Sequence, residues 1–326
     1  MKTPIRFVTS VYGKKYGGML LNLLYSVVHS NPEAAITVFW QDVGDSIKDL
    51  KDAFPQVNFI NTEKEMGVDS VSRIANKTQL WTEAALLYKG ENLAFVDVDM
   101  LVLKDVSHFF VDKTFDVLFT YKDEIYPINT GTVLIRASQK VVNFFTIWTQ
   151  ETMNILSDNE LKKQATSRSY PYGAPDQMAF YRLLNFSLPQ ETYAVSGLVI
   201  KGVPCALLNE TNSKPVHTET HIIHYKGGWH SILIDGTDFT FRRPKPDSWE
   251  MYLLYLRTYK EAVAYVSKRL NKKFSNSSFG VTIPFYLDND LCESKFLYAV
   301  FNLCERILVP VRKVIRFIRK RLRSGR

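Results

Sequence analysis

Short apolar runs alternate with amphipathic ones along the first third of the chain, and that rhythm limits its possible folds more than any other feature. Residues 5–10, 35–40 and 57–60 read as strands, while 19–29, 47–53 and 71–88 carry apolar residues at helical spacing. Such alternation predicts an α/β fold, a mostly parallel sheet with helices on both faces. Ligands of these sheets sit beyond the carboxyl ends of the strands, where Thr9, Ser10 and Asp97-Val98-Asp99 fall. Further strands are expected at 115–120, 132–136 and 222–225, and helices at 141–156, 176–184 and 248–270. Residues 157–175 are polar, contain two prolines and predict a mobile loop. The length of 326 residues suits one large domain with an appendage. The expected division is a main domain over 1–240, a helical extension and linker over 241–290, and a basic tail over 291–326.

Asp97 and Asp99 interrupt the apolar run LAFVDVDMLVL. A run of that composition reads as a buried strand, where ionised carboxylates are costly unless paired, hydrogen-bonded or metal-bound. Residues i and i+2 of a strand share a face, so both carboxylates would project together. Like charges that close resist joint ionisation unless a cation lies between them. Hard oxygen ligands favour Mg²⁺ or Mn²⁺, commonly with a diphosphate. The plainer alternative is a strand-end turn with solvated aspartates.

The net charge of +8 is a local property. Residues 306–326 carry nine Lys/Arg and no acid, which leaves 32 basic against 33 acidic residues elsewhere. A nucleic-acid-binding body is therefore not expected. Cys205, Cys292 and Cys304 are sparse and widely spaced, which fits a reducing compartment and neither a disulfide framework nor a zinc site. The first residues enter a strand-like run at once, without a secretory-signal pattern, and the apolar stretch 19–28 is too short to span a bilayer. The expected location is cytoplasmic, peripheral on the cytosolic face of a membrane.

Six segments in order resemble the GT-A glycosyltransferases of the glycogenin, galactinol synthase and lipopolysaccharide galactosyltransferase family. They are FVTSVYGKKY, RIANKTQLW, FVDVDMLVLKD, INTGTVLI, GAPDQMAFY and HYKGGWH, spread over residues 5–235. The resemblance implies a GT-A fold and a metal-dependent transfer of a hexose from a nucleotide-diphosphate sugar, with a UDP-sugar expected, retaining at the anomeric carbon. It implies Val8, Thr9 and Tyr12 at the nucleotide, and Lys77 near the diphosphate or transferred sugar, with a solvated helix lysine as the alternative. It implies a metal, Mn²⁺ or Mg²⁺, at Asp97, Asp99 and His224, the histidine tilting preference toward Mn²⁺. Asn129 would bond a sugar hydroxyl, with Gly131 allowing close backbone approach. Asp176 would lie near the donor sugar beside Gln177, or else cap a helix. HYKGGWH departs from the family's HxxGxxKPW-like motif. Gly227 holds its place, His230 replaces the diphosphate-gripping lysine, and no Pro-Trp follows. Either Lys226 or His230 then takes the phosphate role.

In the tail, Val311, Val314, Ile315, Ile318 and Leu322 recur at helical spacing, flanked by Arg312, Lys313, Arg316, Arg319, Lys320 and Arg323. That is a cationic amphipathic helix suited to an anionic membrane surface through 306–326. The expected acceptor is a glycan or lipid-linked saccharide at that surface. Two other readings compete. One is a haloacid-dehalogenase-type phosphatase with Asp97 as nucleophile. The other is a non-catalytic, membrane-bound sugar-binding protein.

Overall fold

The strands expected at 5–10, 35–40 and 57–60 form, and they pair side by side with a fourth that ends at Val96. β1 (Arg6–Tyr12), β2 (Ala35–Gln41), β3 (Val57–Asn61) and β4 (Asn92–Val96) are parallel, in the order β3-β2-β1-β4. Crossovers are made by α1 (Gly17–Ser30), α2 (Ser46–Ala53) and α3 (Ser70–Leu87). The computed structural model describes residues 4–63, 69–111, 113–122, 127–186, 192–211, 218–235, 249–275 and 277–281. The expected amphipathic tail over 306–326 lies outside the described residues.

Two short strands, β5 (Met100–Val102) and β10 (Ile222–His224), pair antiparallel as a separate ribbon. The main sheet continues through β6 (Val117–Tyr121), β7 (Ile128–Arg136), β8 (Thr192–Val195) and β9 (Leu198–Pro204). Its order is β3-β2-β1-β4-β7-β6-β9-β8. Strands β7 and β8 run against the other six, so the sheet is mixed but mostly parallel.

One face of the sheet is covered by α3, α4 (Gln139–Ser157) and α6 (Pro175–Leu183), around Trp81, Phe95, Trp148 and Phe180. On the other face α1 and α2 pack with α9 (Trp249–Leu270). Helix α9 stands outside the strand–helix alternation, yet it buries Met251, Tyr252, Tyr255, Tyr259, Val263 and Val266 in that core. Close approach at α1 requires Gly18, where a Cβ would lie 2.8 Å from the Phe279 carbonyl oxygen.

The expected loop over 157–175 is partly helical. It contains α5 (Asn159–Thr166), whose first turn is capped by the Asp158 carboxylate accepting from the Glu160 and Leu161 amides. Only Ala165 of α5 is buried, so no apolar stripe betrays the helix in the sequence. Strands β8 and β9 lie outside the sequence expectations as well; only Tyr193 of β8 is buried, and a turn separates it from the buried Leu198, Ile200, Gly202 and Val203 of β9.

Candidate active site

The aspartate pair lies in a turn, not within a strand. β4 ends at Val96 and β5 begins at Met100, leaving Asp97-Val98-Asp99 between them. The carboxylates converge because the turn is pinned on both sides. The Asp97 amide donates to the Gly131 carbonyl (3.0 Å), and the Tyr225 amide donates to the Asp99 carbonyl (2.8 Å). Register in the short ribbon places His224 opposite Met100 and so beside Asp99. His224 Nε2 lies 3.1 Å from Asp99 Oδ1 and 3.8 Å from Asp97 Oδ2. One ligand atom from each of Asp97, Asp99 and His224 falls within 4.8 Å of the others. The imidazole fits because Gly131 has no side chain: a Cβ there would come within 2.7 Å of its Cε1 and Nδ1. Nδ1 meets Asn209 Oδ1 at 2.8 Å. No sequence motif marks Asn209.

Lys77 is buried in α3, which removes the solvated-helix alternative. Its Nζ lies 3.0 Å from Asp97 Oδ1 and 3.4 Å from Asp176 Oδ2. Burial alone would lower its pKa, but Asp97 and Asp176 outweigh that and raise it. Asp176 follows Pro175 in the first turn of α6 and makes no cap, so the capping reading is wrong. Its Oδ2 accepts from Thr130 Oγ1 at 2.6 Å, and its carbonyl accepts from Trp148 Nε1 at 2.8 Å. Gln177 beside it is half-buried. Asn129 Oδ1 accepts from the Gly131 amide at 3.0 Å.

Asp176 Oδ1, Asn129 Nδ2 and Thr9 Oγ1 are buried here without a hydrogen-bond partner among the described residues. Each such atom costs roughly 1–3 kcal/mol if left unsatisfied. All three belong to the end of the sheet where β4 runs into Asp97, the place a polar ligand would fill. Val8 is fully buried in the core cluster, and Tyr12 is half-buried at the end of β1, its phenol pushed up by burial.

After β10 the chain turns at Gly227, whose φ of +64° favours glycine. The turn returns His230 Nε2 to within 2.6 Å of Asp99 Oδ2. Burial pushes the Asp99 carboxyl up, yet His224 and His230 together hold it well below the carboxylate range. Asp97 is raised by burial and by Asp99, against the pull of Lys77 and His224. His230 would be lowered by burial but is raised by its bond to Asp99. Lys226 is lowered by burial and by nearby Lys122.

A family model described as nucleotide-diphospho-sugar transferase matches residues 51–230, more than half of the chain and every candidate residue from Lys77 to His230. The chain belongs to the nucleotide-diphospho-sugar transferases. No curated protein matches this transferase. Among solved structures it is similar to the glycosyltransferase GlyE of Streptococcus pneumoniae TIGR4, with 12% identity and a TM-score of 0.51. That match covers 85% of this chain and 66% of GlyE, just under two thirds of its length. It is also similar to the galactosyltransferase LgtC in complex with donor and acceptor sugar analogs, with 14% identity and a TM-score of 0.49, covering 78% of this chain and 95% of LgtC. The transferase is a glycosyltransferase of GT-A fold. The phosphatase alternative falls with that assignment.

Proposed function

We propose that this transferase moves a hexose from a UDP-sugar to a glycan or lipid-linked saccharide, with Mn²⁺ or Mg²⁺ held by Asp97, Asp99 and His224. The observation that carries the reading is the convergence of three ligand atoms within 4.8 Å from segments far apart in the chain. A divalent ion held there would neutralise the diphosphate as it leaves.

The chain's own groups have distinct tasks. Lys77 balances Asp97 and Asp176 and holds both carboxylates in place. Asp176 keeps one buried oxygen free to accept from a sugar hydroxyl or to face the anomeric carbon, with Gln177 beside it. Asn129 Nδ2 is free to donate to a second sugar hydroxyl. Thr9 and Tyr12, with the adjoining Val8 backbone, border the nucleoside. Lys226 is the better candidate for the diphosphate, since its ammonium makes no ion pair among the described residues while His230 is engaged by Asp99. Retention at the anomeric carbon follows the family resemblance. The basic segment 306–326 would bring the enzyme to an anionic, cytosolic membrane face where a lipid-linked acceptor resides.

The test is nucleotide release by the pure protein from a panel of UDP- and GDP-sugars with Mn²⁺. Release from a UDP-hexose is expected, falling to background in Asp99→Asn with the fold intact by circular dichroism. Near-wild-type turnover by that variant would end the metal-dependent reading.

A further inference from the structure

We propose that Asn209 is a positioning residue that fixes the tautomer of His224 for metal binding, at the end of a hydrogen-bond relay whose polarity originates in the Asn129 backbone. The inference rests on the metal site proposed above. One group in the relay has a role fixed by its chemistry, the Asn129 carbonyl. A backbone carbonyl can only accept, so the Asn129 carbonyl must receive the hydroxyl hydrogen of Thr120, whose Oγ1 lies 2.7 Å away. Thr120 has then spent its one hydrogen, so every other polar neighbour, the Cys205 thiol included, must donate to it. The Asn209 amide lies 2.9 Å away, so its Nδ2 end faces Thr120. The same end sits 3.5 Å from the Asn129 carbonyl, again compatible only with a donor.

With Nδ2 committed, Asn209 presents Oδ1 to His224 Nδ1 at 2.8 Å. An amide oxygen only accepts, so Nδ1 carries the hydrogen. The neutral ring then has its lone pair on Nε2, the atom 3.1 Å from Asp99 Oδ1. A lone pair facing carboxylate oxygens is repulsive by itself and favourable around a cation. Asn209 is fully buried and its backbone amide bonds the Cys205 carbonyl at the end of α7 (Cys205–Leu208). The relay therefore joins β6, β7 and β10 without solvent. It also ties the metal histidine to the residue whose side chain is expected to hold the sugar.

Mn²⁺ affinity of the full-length protein without donor, read from the free-Mn²⁺ signal in electron paramagnetic resonance, tests the role. Asn209→Leu should weaken binding by about 10–100-fold, the usual effect of losing a partner behind a metal histidine. Asn209→Asp, which still accepts from Nδ1, should recover most of it, whereas a purely space-filling role would predict Leu and Asp to behave alike. Long-range ¹H–¹⁵N spectra of the metal-free wild type at alkaline pH should show His224 protonated on Nδ1. Wild-type affinity in folded Asn209→Leu, or a hydrogen on Nε2 in the wild type, would overturn the proposal. If Asn209→Leu fails to fold, the wild-type tautomer decides. Failure of the wild type to bind Mn²⁺ would instead sink the metal-dependent function, leaving the tautomer assignment to the spectra.

Discussion

At the scale of single residues, Gly131 is required by what lies opposite it. A Cβ there would come within 2.7 Å of His224 Cε1, His224 Nδ1 and Met100 Cε, and the imidazole atoms cannot give without moving the ring. Gly131→Ala should cost about 1–3 kcal/mol from overpacking and weaken Mn²⁺ binding in the same protein. Thermal unfolding and a Mn²⁺ titration check the two effects together, and a variant unchanged in both would show that the ring has room to spare. The glycine was visible in the sequence as part of an N-x-G segment. Its reason was not, because the ring it accommodates comes from another strand almost a hundred positions later.

At the scale of elements, α3 matters most because it carries Lys77. Its first turn is held by Asp69, whose carboxylate accepts from the Ser72 amide at 2.8 Å and from Ser72 Oγ at 2.9 Å. These bonds hold the Asp69 carboxyl down at about 2. A depressed carboxyl stabilises the fold fully above its ordinary value of about 3.9, and that contribution is lost as pH falls through the folded value. Asn caps nearly as well but does not titrate. Wild type should therefore lose stability faster than Asp69→Asn between about pH 5 and about pH 2, as measured by denaturant unfolding. Parallel acid limbs would show that the cap does not titrate with the fold. Elements with a broad apolar stripe, such as α1 and α4, were legible in the sequence, as were β1 to β4. The polar α5 was not, although Lys162 on it reaches Asp69 at 3.4 Å. Composition cannot tell a continuous strand from a strand-end turn at the aspartates, because both sides are buried and apolar; the turn is what forms, with Asp99 buried and not solvated. Six separated segments pointed to the site, but Asn209 was silent because a buried amide acquires meaning only from its neighbours.

Across the whole molecule, charge and chemistry are segregated. The residues gathered at the site end at His230, whereas the excess positive charge lies in 306–326. No helix among the described residues is long and apolar enough to cross a membrane. A chain ending at residue 305 should lose co-sedimentation with anionic liposomes yet keep soluble donor hydrolysis, and binding by the full chain should weaken with salt. Equal sedimentation of the two would rule out the anchor. The short ribbon of β5 and β10 has a further consequence, in the order of synthesis. Asp99 and His230 are 131 positions apart, and His224 arrives only shortly before His230. Chains emerge from the ribosome amino end first. A growing chain thus carries its paired carboxylates and Lys77 long before His224 or His230 can join them. If the proposed metal site holds, capture of the ion would wait for β10, and an unfinished chain would lack the means to hydrolyse the activated sugar.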